Sequence, residues 1–462
     1  MRTTNNQLQT WFKTYKRVSE TTLAMTFAEY QGERWRYNAD ESVWLQWVGT
    51  HWLRRQTPEM LDALRQFVML FTTALQKAQI ITNGETVKMQ SQRAVSAIER
   101  FCRALPSFLA RTALFDADPF MLGTPGGTID LRTGEMRAAN PADHITVLTP
   151  VTPAPPGTPC PRWQAFLDEV TGNNRDLQLT LQQFAGISAT GTSRDQKILF
   201  LYGYGGNGKG VYLRTIAGLL GEHAVNAPRD LLMVQKSSQH PTALVDVVNA
   251  RMVMATEIDE DAAWDTALIK DLTGGDPVAM RRMRQDFFRA TAKCSITVSG
   301  NRKPALKEVD EAIRRRFLVA TFWLKVVQVI VDLEKEFIEE EGPAILRWII
   351  NGAVARESTG SLYVAQVILD DTVDYLAEEN VMDDFINGYL IPAPADVDPI
   401  WRVKTSEVYA SWKAYCGQFG RSAGARNTFT TAMKAAGVTY ERTNKGRYFL
   451  NVRLRLTPFD GE

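Results

Sequence analysis

The stretch that decides the fold reads Lys197-Ile-Leu-Phe-Leu-Tyr202 followed by Gly203-Tyr-Gly-Gly-Asn-Gly208-Lys209-Gly210. The apolar run predicts a buried strand, and the spacing G-x-x-x-x-G-K is typical of a loop that binds phosphate. Glycines let successive backbone N–H groups turn onto the phosphates, and the lysine reaches the β and γ phosphates. The predicted nucleotide-binding residues, with ATP as the nucleotide, are Gly203, Gly205, Gly206, Asn207, Gly208, Lys209 and Gly210.

The residues after the loop support this interpretation. Val211 to Leu220 has helical apolar spacing, so the N-terminus of a helix adds its dipole to the same anion site. Gly210 stands where a Ser or Thr hydroxyl normally contacts Mg²⁺, so Mg²⁺ must depend on carboxylates or water. The alternative is a glycine-rich turn that only joins a strand to a helix.

Two further strands are predicted to end in polar residues at the same edge of the sheet. The run from Arg251 to Thr256 precedes Glu257 and Asp259, and the run from Ser295 ends at Asn301. ATP hydrolysis needs a metal ligand and a base for the attacking water, which the two carboxylates provide. The alternative for these carboxylates is a solvated strand end. The amide of Asn301 is suited to orient water or to sense the γ phosphate.

Two more blocks, Ile269-Lys-Asp-Leu-Thr-Gly-Gly-Asp276 and Asp310-Glu-Ala-Ile-Arg-Arg-Arg-Phe317, complete an ordered set of motifs. This order resembles the superfamily III helicases, in particular the AAA+ module of the phage and plasmid primase-helicases that include the poxvirus type. The resemblance implies that Lys209 is the P-loop lysine and Glu257 the acidic residue of the second motif. Asn301 would be the sensor, and Asp259 an additional metal ligand. Arg315 or Arg316 would be the arginine finger.

The resemblance also implies a ring, usually a hexamer, in which the finger completes the ATP site of the neighbouring subunit. The family often has a lysine in the hairpin that follows the Leu-Thr-Gly-Gly-Asp string, where this chain has Gln285. From Arg281 to Arg316 there are eleven Lys or Arg against four Asp or Glu. Such an excess suits a loop that tracks a phosphate backbone, although it is also what a solvated basic face looks like. The predicted DNA-binding residues here are Lys270, Arg281, Arg282 and Arg284.

The C-terminal part is basic as well. From Trp401 to Leu456 there are eleven Lys or Arg and two acidic residues. Predicted helices at 406–418 and 427–436 precede two strands joined at 444–446, which is a helix-helix-wing order and resembles the winged-helix domain of many family members. Arg442, Lys445 and Arg447 are expected at the DNA backbone. A plain basic tail or an oligomer contact is the alternative.

Composition limits the classes of protein to which the chain can belong. The 462 residues, with 45% hydrophobic content, have a net charge of only +1, so any nucleic-acid surface is local. The four cysteines and four histidines have no metal-binding spacing, and no apolar run reaches membrane-spanning length. We therefore expect a soluble protein of the bacterial host cytoplasm with no membrane association.

Six prolines between Thr149 and Pro161 predict a domain boundary or an extended connector. Before it, aromatic residues alternate with polar ones from Arg34 to Trp52, which predicts a small β-meander whose aromatics form the core or, alternatively, stack bases. Asp116 and Asp118 have the D-x-D form of a polymerase metal site, a less favoured primase interpretation.

The sequence therefore predicts an α/β fold. Its parts are an α+β N-terminal domain (1–160), an AAA+ P-loop ATPase core with a helical collar (161–360) and a winged-helix domain (375–462). The expected function is an ATP- and Mg²⁺-dependent DNA helicase or replication initiator of a phage, satellite or other mobile element. It would act as a homo-hexamer on single-stranded and origin double-stranded DNA, with a primase or host replication proteins as partners. The alternative is an ATP-switched origin-binding initiator or regulator that does not unwind.

Overall fold

A computed structural model provides the fold. It describes residues 5–234, 243–256, 263–281, 287–306, 309–394, 401–418, 423–444 and 446–455. Glu257, Asp259, Arg282, Arg284, Gln285 and Lys445, which the sequence singled out, lie outside the described residues.

The N-terminal unit is a helical layer packed on a small sheet with strand order β3-β2-β1-β4. Three of its tryptophans, Trp35, Trp44 and Trp52, are at most 3% exposed, so these rings belong to the core and are not available to stack bases. The β-meander prediction is confirmed. The elements are α1 (Asn5–Tyr15), α2 (Glu20–Gln31), β1 (Trp35–Asn38), β2 (Val43–Trp47), β3 (Trp52–Arg55), α3 (Thr57–Lys77), α4 (Asn83–Met89), α5 (Gln92–Ala104) and β4 (Leu109–Ala110).

A second small sheet follows and belongs to the next core. Strands β5 (Met121–Thr124), β6 (Gly127–Asp130) and β7 (Met136–Arg137) are antiparallel, and Leu122 and Ile129 share a hydrophobic cluster with the central helices. The proline-rich connector lies extended against a later helix, since Ala154 N–H donates to Pro343 O (2.8 Å) and Arg347 Nε donates to Ala154 O (2.8 Å).

The central unit is built around one parallel sheet. Its elements are α6 (Pro161–Thr171), α7 (Arg175–Ala189), β8 (Ile198–Tyr202), α8 (Lys209–Leu220), β9 (Ala224–Asn226), α9 (Ala243–Asn249), β10 (Met252–Thr256), α10 (Thr266–Gly274), β11 (Pro277–Arg281), β12 (Phe287–Thr291), β13 (Ser295–Gly300), α11 (Glu311–Arg314) and β14 (Phe317–Thr321). The sheet order is β14-β8-β13-β10-β9, all parallel. All five residues of β8 are buried, as expected for a strand covered on both faces.

A buried arginine ties the preceding sheet to this core. Arg251, 7% exposed at the start of β10, donates to Ala189 O (2.8 Å) and Met121 O (2.8 Å) and more weakly to Pro119 O (3.3 Å). Burial lowers the pKa of its guanidinium. One side chain thus links the end of α7, strand β5 and the segment just before that strand.

Helices α12 (Leu333–Glu336), α13 (Gly342–Thr359) and α14 (Gln366–Tyr389) cover the sheet, and a π-helical turn at Phe337–Glu341 joins the first two. Pro343 lies in the first turn of α13, where its missing N–H costs nothing. Helix α7 crosses α13 so closely that a Cβ on Gly186 would lie 2.0 Å from Ala353 N. Eleven of the 15 residues of α7 are buried by this packing, so the segment predicted as a collar is largely covered by its own chain.

The C-terminal unit has its own core around Trp412, Phe429 and Phe449. Its elements are β15 (Leu390–Pro392), β16 (Arg402–Lys404), α15 (Thr405–Gln418), α16 (Arg426–Ala435), β17 (Tyr440–Thr443), β18 (Gly446–Leu450) and β19 (Val452–Leu454). The helices and the β17–β18 hairpin lie where the sequence predicted them. The boundary expected at residue 375 falls inside α14, whose Tyr375 packs on the central sheet while Phe385 belongs to the C-terminal core.

No helix in the described part of the chain combines the length and apolarity that a membrane span requires. The four cysteines are free thiols, and burial raises the pKa of Cys102 and of Cys294 to about 12. Within the described residues, no three His, Cys, Asp or Glu side chains cluster closely enough to hold a metal ion.

Candidate functional site: a phosphate-binding loop beside a cavity

The glycine-rich loop lies at the carboxyl edge of the central sheet. It leaves β8 after Tyr202 and enters α8 at Lys209. Strand β13 runs parallel to β8 on one side and β14 on the other, so the ends of three strands surround the loop. This edge is where open parallel sheets bind ligands, and the N-terminus of α8 points its N–H groups to the same place.

The loop conformation requires glycine. Gly205 and Gly206 have positive φ angles of 87° and 62°, which turn successive N–H groups to one side and form a concave anion-binding shape. Gly208, with φ of 81°, also leaves no room for a side chain, because a Cβ there would lie 2.5 Å from Val170 Cγ1. Gly203 and Gly208, the two glycines of the G-x-x-x-x-G spacing, thus both have a positive φ and no room for a Cβ.

Lys209 is the electrostatic centre of the site. Its side chain is only 4% exposed. Its ammonium donates to Gly203 O (2.8 Å), to Asn207 Oδ1 (2.8 Å) and, at 3.3 Å, to Asn301 Oδ1. These acceptors are neutral, and burial lowers the pKa of Lys209 to about 8. A desolvated cation beside neutral oxygens is stabilised by an incoming anion, so the site favours a phosphate.

The side-chain amides of Asn207 and Asn301 hold the ammonium of Lys209 in place. Asn207 donates its Nδ2 to Phe322 O (2.7 Å), which turns its Oδ1 toward Lys209. Asn301 follows β13 directly, and its contact with the lysine confirms that the end of this strand meets the loop. Glu257 and Asp259 follow β10, whose last residue Thr256 is paired with Ser299 of β13. Those two carboxylates lie outside the described residues.

A cavity of about 620 Å³ opens beside the loop. Its polar lining consists of the loop, Thr256, Ser299 and Asn301. Its apolar lining includes the large side chains of Phe166, Val329, Ile330, Leu333 and Phe337. A pocket lined by both a phosphate-binding loop and apolar side chains has the size and polarity that a nucleotide requires.

The cavity includes residues that the sequence did not single out. Phe166 of α6 and Phe337 lie 5.4 Å apart, ring centre to ring centre, and Trp163 touches both. Arg162, Glu169 and Arg214 add charge at the rim. Only Arg214 carried a sequence signal, since it lies one helical turn after Gly210.

The two candidate arginine fingers differ in environment. Arg316 is 5% exposed, donates its Nε to Thr273 Oγ1 (2.9 Å) and its Nη1 to Ala312 O (2.9 Å). Arg315 is exposed, and within the described residues its guanidinium has no ion-pair partner. Both precede β14, so they lie at the amino edge of the sheet, opposite the glycine loop and about 16 Å from it by the length of a five-residue strand.

The basic hairpin is formed by β11 and β12. Arg281 at the end of β11 is exposed and lies over the ring of Phe287 (5.1 Å). Phe287 is 62% exposed and Phe288 is 37% exposed. Neither aromatic residue was among the predicted DNA-binding residues. Lys270 is paired with Asp310 (2.6 Å), which leaves it less available to DNA than Arg281. Arg282 and Arg284 lie outside the described residues.

In the C-terminal hairpin, Arg442 and Arg447 are exposed and directly opposite each other across β17 and β18. Like charges in such a pair destabilise a sheet unless an anion lies between them. Lys445, between the two strands, is outside the described residues.

The carboxylates of the D-x-D string are engaged in holding the backbone. Asp116 accepts from Thr146 N–H (2.9 Å), whereas Asp118 accepts from Phe120 N–H (3.0 Å) and pairs with Arg132 (2.9 Å). They serve two different loops, so the structure gives the primase interpretation no support.

Comparison with known families finds two matches. Residues 24–172 match the family described as D5 N terminal like, and residues 201–316 match a family of unknown function (DUF5906). Each covers less than half of the chain. The first match supports the D5-like, primase-helicase type of family that the motifs indicated. No curated protein matches the chain.

Solved structures with a similar outline include two apo structures of the NrS-1 C-terminal region. The one covering 305–718 has a TM-score of 0.49, and the A form has 0.48. Both are 10% identical to this chain, with 94% of it and 99% of the other chain covered. At these values we draw nothing about function from the likeness.

Proposed function

We propose that this chain is an ATP-dependent DNA helicase or replication initiator of a phage, satellite or other mobile element. The observation that carries the proposal is the buried ammonium of Lys209. It lies in a cradle that only glycines can form, faces neutral oxygens and borders a cavity of about 620 Å³. A structural glycine turn needs neither the buried charge nor the cavity.

In this proposal the N–H groups of Gly205 to Lys209 and the Lys209 ammonium bind the β and γ phosphates. Asn301 orients the attacking water, and its contact with Lys209 ties that water to the phosphate end of the site. Glu257 polarises the water, and Glu257 with Asp259 would hold Mg²⁺, which when bound neutralises charge on the phosphates. Thr256 and Ser299 contribute further oxygens at the polar end of the cavity.

The arginine finger is Arg315 and acts on a neighbouring subunit. Its position at the amino edge of the sheet keeps it from reaching the loop of its own chain, and its exposure leaves it free to reach another. Arg316 is the less suitable candidate, because its buried hydrogen bonds hold α10 to α11. A finger supplied in this way requires an oligomer, for which we propose the hexameric ring.

DNA contacts are assigned to two surfaces. The β11–β12 hairpin combines Arg281 with the exposed rings of Phe287 and Phe288, which suits stacking and backbone contact with a single strand. The facing arginines Arg442 and Arg447 suit a duplex phosphate, as expected if the C-terminal unit reads an origin.

A second function, an ATP-switched initiator that binds DNA without unwinding it, is favoured by Gly210. Without a hydroxyl at this position a usual Mg²⁺ ligand is missing, and slow hydrolysis would suit a switch. The remaining features of the site serve both functions equally.

Strand displacement on a forked duplex separates the two. The helicase proposal expects ATP-driven release of a strand by the wild type and none by Lys209→Ala. Arg315→Ala should also release none, yet should bind ATP normally and regain activity when mixed with Lys209→Ala subunits. The matched control is Arg93→Ala on the exposed face of α5, which should unwind like the wild type. DNA binding that depends on ATP but releases no strand would favour the switch.

A further inference from the structure

Helix α8 carries an unusual pair at its N-terminus. Gly210 and Arg214 are one turn apart, and side chains in a helix lean toward its N-terminus, so the guanidinium lies above the glycine. A Cβ built on Gly210 would be 2.9 Å from Arg214 Nη1 and 3.5 Å from its Cζ. The arginine thus fills the space that a Ser or Thr side chain would need.

Among the residues that the structure describes, one nitrogen of Arg214 has a partner. Its Nε donates to Glu334 Oε1 of α12 (2.7 Å), and Arg214 and the glycine loop line the same cavity. In the described part of the chain, its two terminal nitrogens have no hydrogen-bond partner, and half of the side chain (52%) is exposed. Both N–H₂ groups lie within 4 Å of the Cβ position of Gly210, at the start of α8.

The guanidinium of Arg214 differs from a hydroxyl in its permanent positive charge. A hydroxyl at position 210 would help to hold a cation, whereas Arg214 is itself a cation that cannot be deprotonated. Guanidinium groups bind phosphate oxygens in a bidentate manner and more strongly than neutral donors do. The guanidinium of Arg214 thus places a positive charge beside the position at which the hydroxyl is missing.

We infer that Arg214 is a phosphate-binding residue of the nucleotide site and that it takes the place of the hydroxyl absent at Gly210. The inference rests on the proposed nucleotide-binding function. It has a distinctive consequence: part of the charge compensation that Mg²⁺ provides elsewhere comes from the protein, so nucleotide binding depends less on Mg²⁺.

The structural alternative is that Arg214 only clamps α8 to α12 through Glu334. The two roles separate because Glu334→Gln breaks the ion pair yet keeps the guanidinium. If Arg214 binds phosphate, removing the competing carboxylate strengthens nucleotide binding, whereas Arg214→Ala weakens it. If Arg214 is a clamp, both substitutions weaken it.

The experiment titrates the full-length protein with methylanthraniloyl-ATP, in Mg²⁺ and in EDTA, and follows anisotropy. In EDTA we expect Arg214→Ala to weaken binding by about ten- to a hundredfold, the range for a charge-assisted hydrogen bond, and Glu334→Gln to tighten it. The matched control is Arg175→Ala, which removes an exposed helix-borne arginine paired with Asp168 (2.7 Å) away from the cavity. Thermal denaturation of each variant checks that it is folded.

A double-mutant cycle adds a readout that a clamp would not move. Gly210→Ser alone should weaken binding, because its Cβ displaces the guanidinium. In Gly210→Ser/Arg214→Ala the hydroxyl has room, so Mg²⁺ should restore affinity that EDTA abolishes, and the two substitutions should be strongly non-additive.

Several results would overturn the inference. Equal weakening by Arg214→Ala and Glu334→Gln would leave only the clamp. An Arg214→Ala protein that binds like Arg175→Ala, while Lys209→Ala does not bind, would reject the role of Arg214 and keep the proposed function. A wild type that binds no better than Lys209→Ala would reject the proposed function itself.

Discussion

Raising the pH should weaken nucleotide binding through Lys209, and the structure sets the size of the effect. Burial lowers the pKa of this ammonium from 10.5 to about 8 in the free protein. The triphosphate binds the charged form, and its negative charge raises the pKa on binding, so affinity is full only well below pH 8 and falls as pH rises through 8. From about pH 7.5 to about pH 9 the charged fraction drops from roughly three quarters to one tenth, an affinity loss of roughly eightfold.

The assay is a nucleotide titration at several pH values in this window, in which neither the phosphates nor the adenine ring of ATP titrates. Calorimetry in two buffers at about pH 8.5 should also detect uptake of most of a proton on binding. The matched control is Lys209→Arg, which stays charged and should show a flat profile if it binds. An affinity for the wild type that is constant up to pH 9, with no proton uptake, would refute the argument that Lys209 is desolvated in the free site.

Three other changes test the surroundings of the site. Gly208→Ala should cost about 3 kcal/mol in the free energy of unfolding, because it combines a left-handed φ with a clash against Val170, and it should abolish ATP binding; urea denaturation and titration measure both. Arg251→Met should cost about 2–4 kcal/mol by urea denaturation, since it leaves buried carbonyls without donors. Arg447→Ala should lower the slope of log affinity for duplex DNA against log salt by about 1, and Arg442→Ala should do the same.

The changes at Gly208 and Arg251 each have a control on the chain. Gly157→Ala has a positive φ of 82° with nothing near its Cβ, so it isolates backbone strain from the clash at Gly208. Arg93→Met leaves an exposed helix face unchanged in stability. If Gly208→Ala were as stable as Gly157→Ala, the clash with Val170 would have no effect on stability. If the salt slope were unchanged in both Arg442→Ala and Arg447→Ala, these arginines would not contact the DNA phosphates.

The fold around the glycine loop was predictable because its signals are local. The apolar run of β8, the turn glycines and the helical spacing after Lys209 are contiguous, and each agrees with the others. The end of β13 was also found, since Asn301 directly follows a strand. In the C-terminal part the helices and the hairpin were recognisable from alternating patterns and from the turn at 444–446.

The apolar wall of the cavity was not predictable. Phe166 and Phe337 are about 170 residues apart and meet only when α6 packs against the π-helical turn. The difference in burial between Arg315 and Arg316 likewise could not be predicted, because the two residues are adjacent at a strand entrance and only Arg316 is buried.

Arg214 is a case in which the sequence held a usable signal. A glycine at the position of a usual hydroxyl, followed four residues later by arginine on the same helix face, indicates a substitution of one phosphate-site group by another.

The central claim is that this chain hydrolyses ATP at sites shared between subunits and engaged with DNA. The most direct measurement is ATP turnover by the purified protein over a wide range of protein concentrations, with and without single-stranded DNA, beside Lys209→Ala. Turnover per subunit that rises steeply with concentration, is stimulated by DNA and is absent from Lys209→Ala is the predicted result. Slow turnover that is indifferent to both concentration and DNA would contradict the claim.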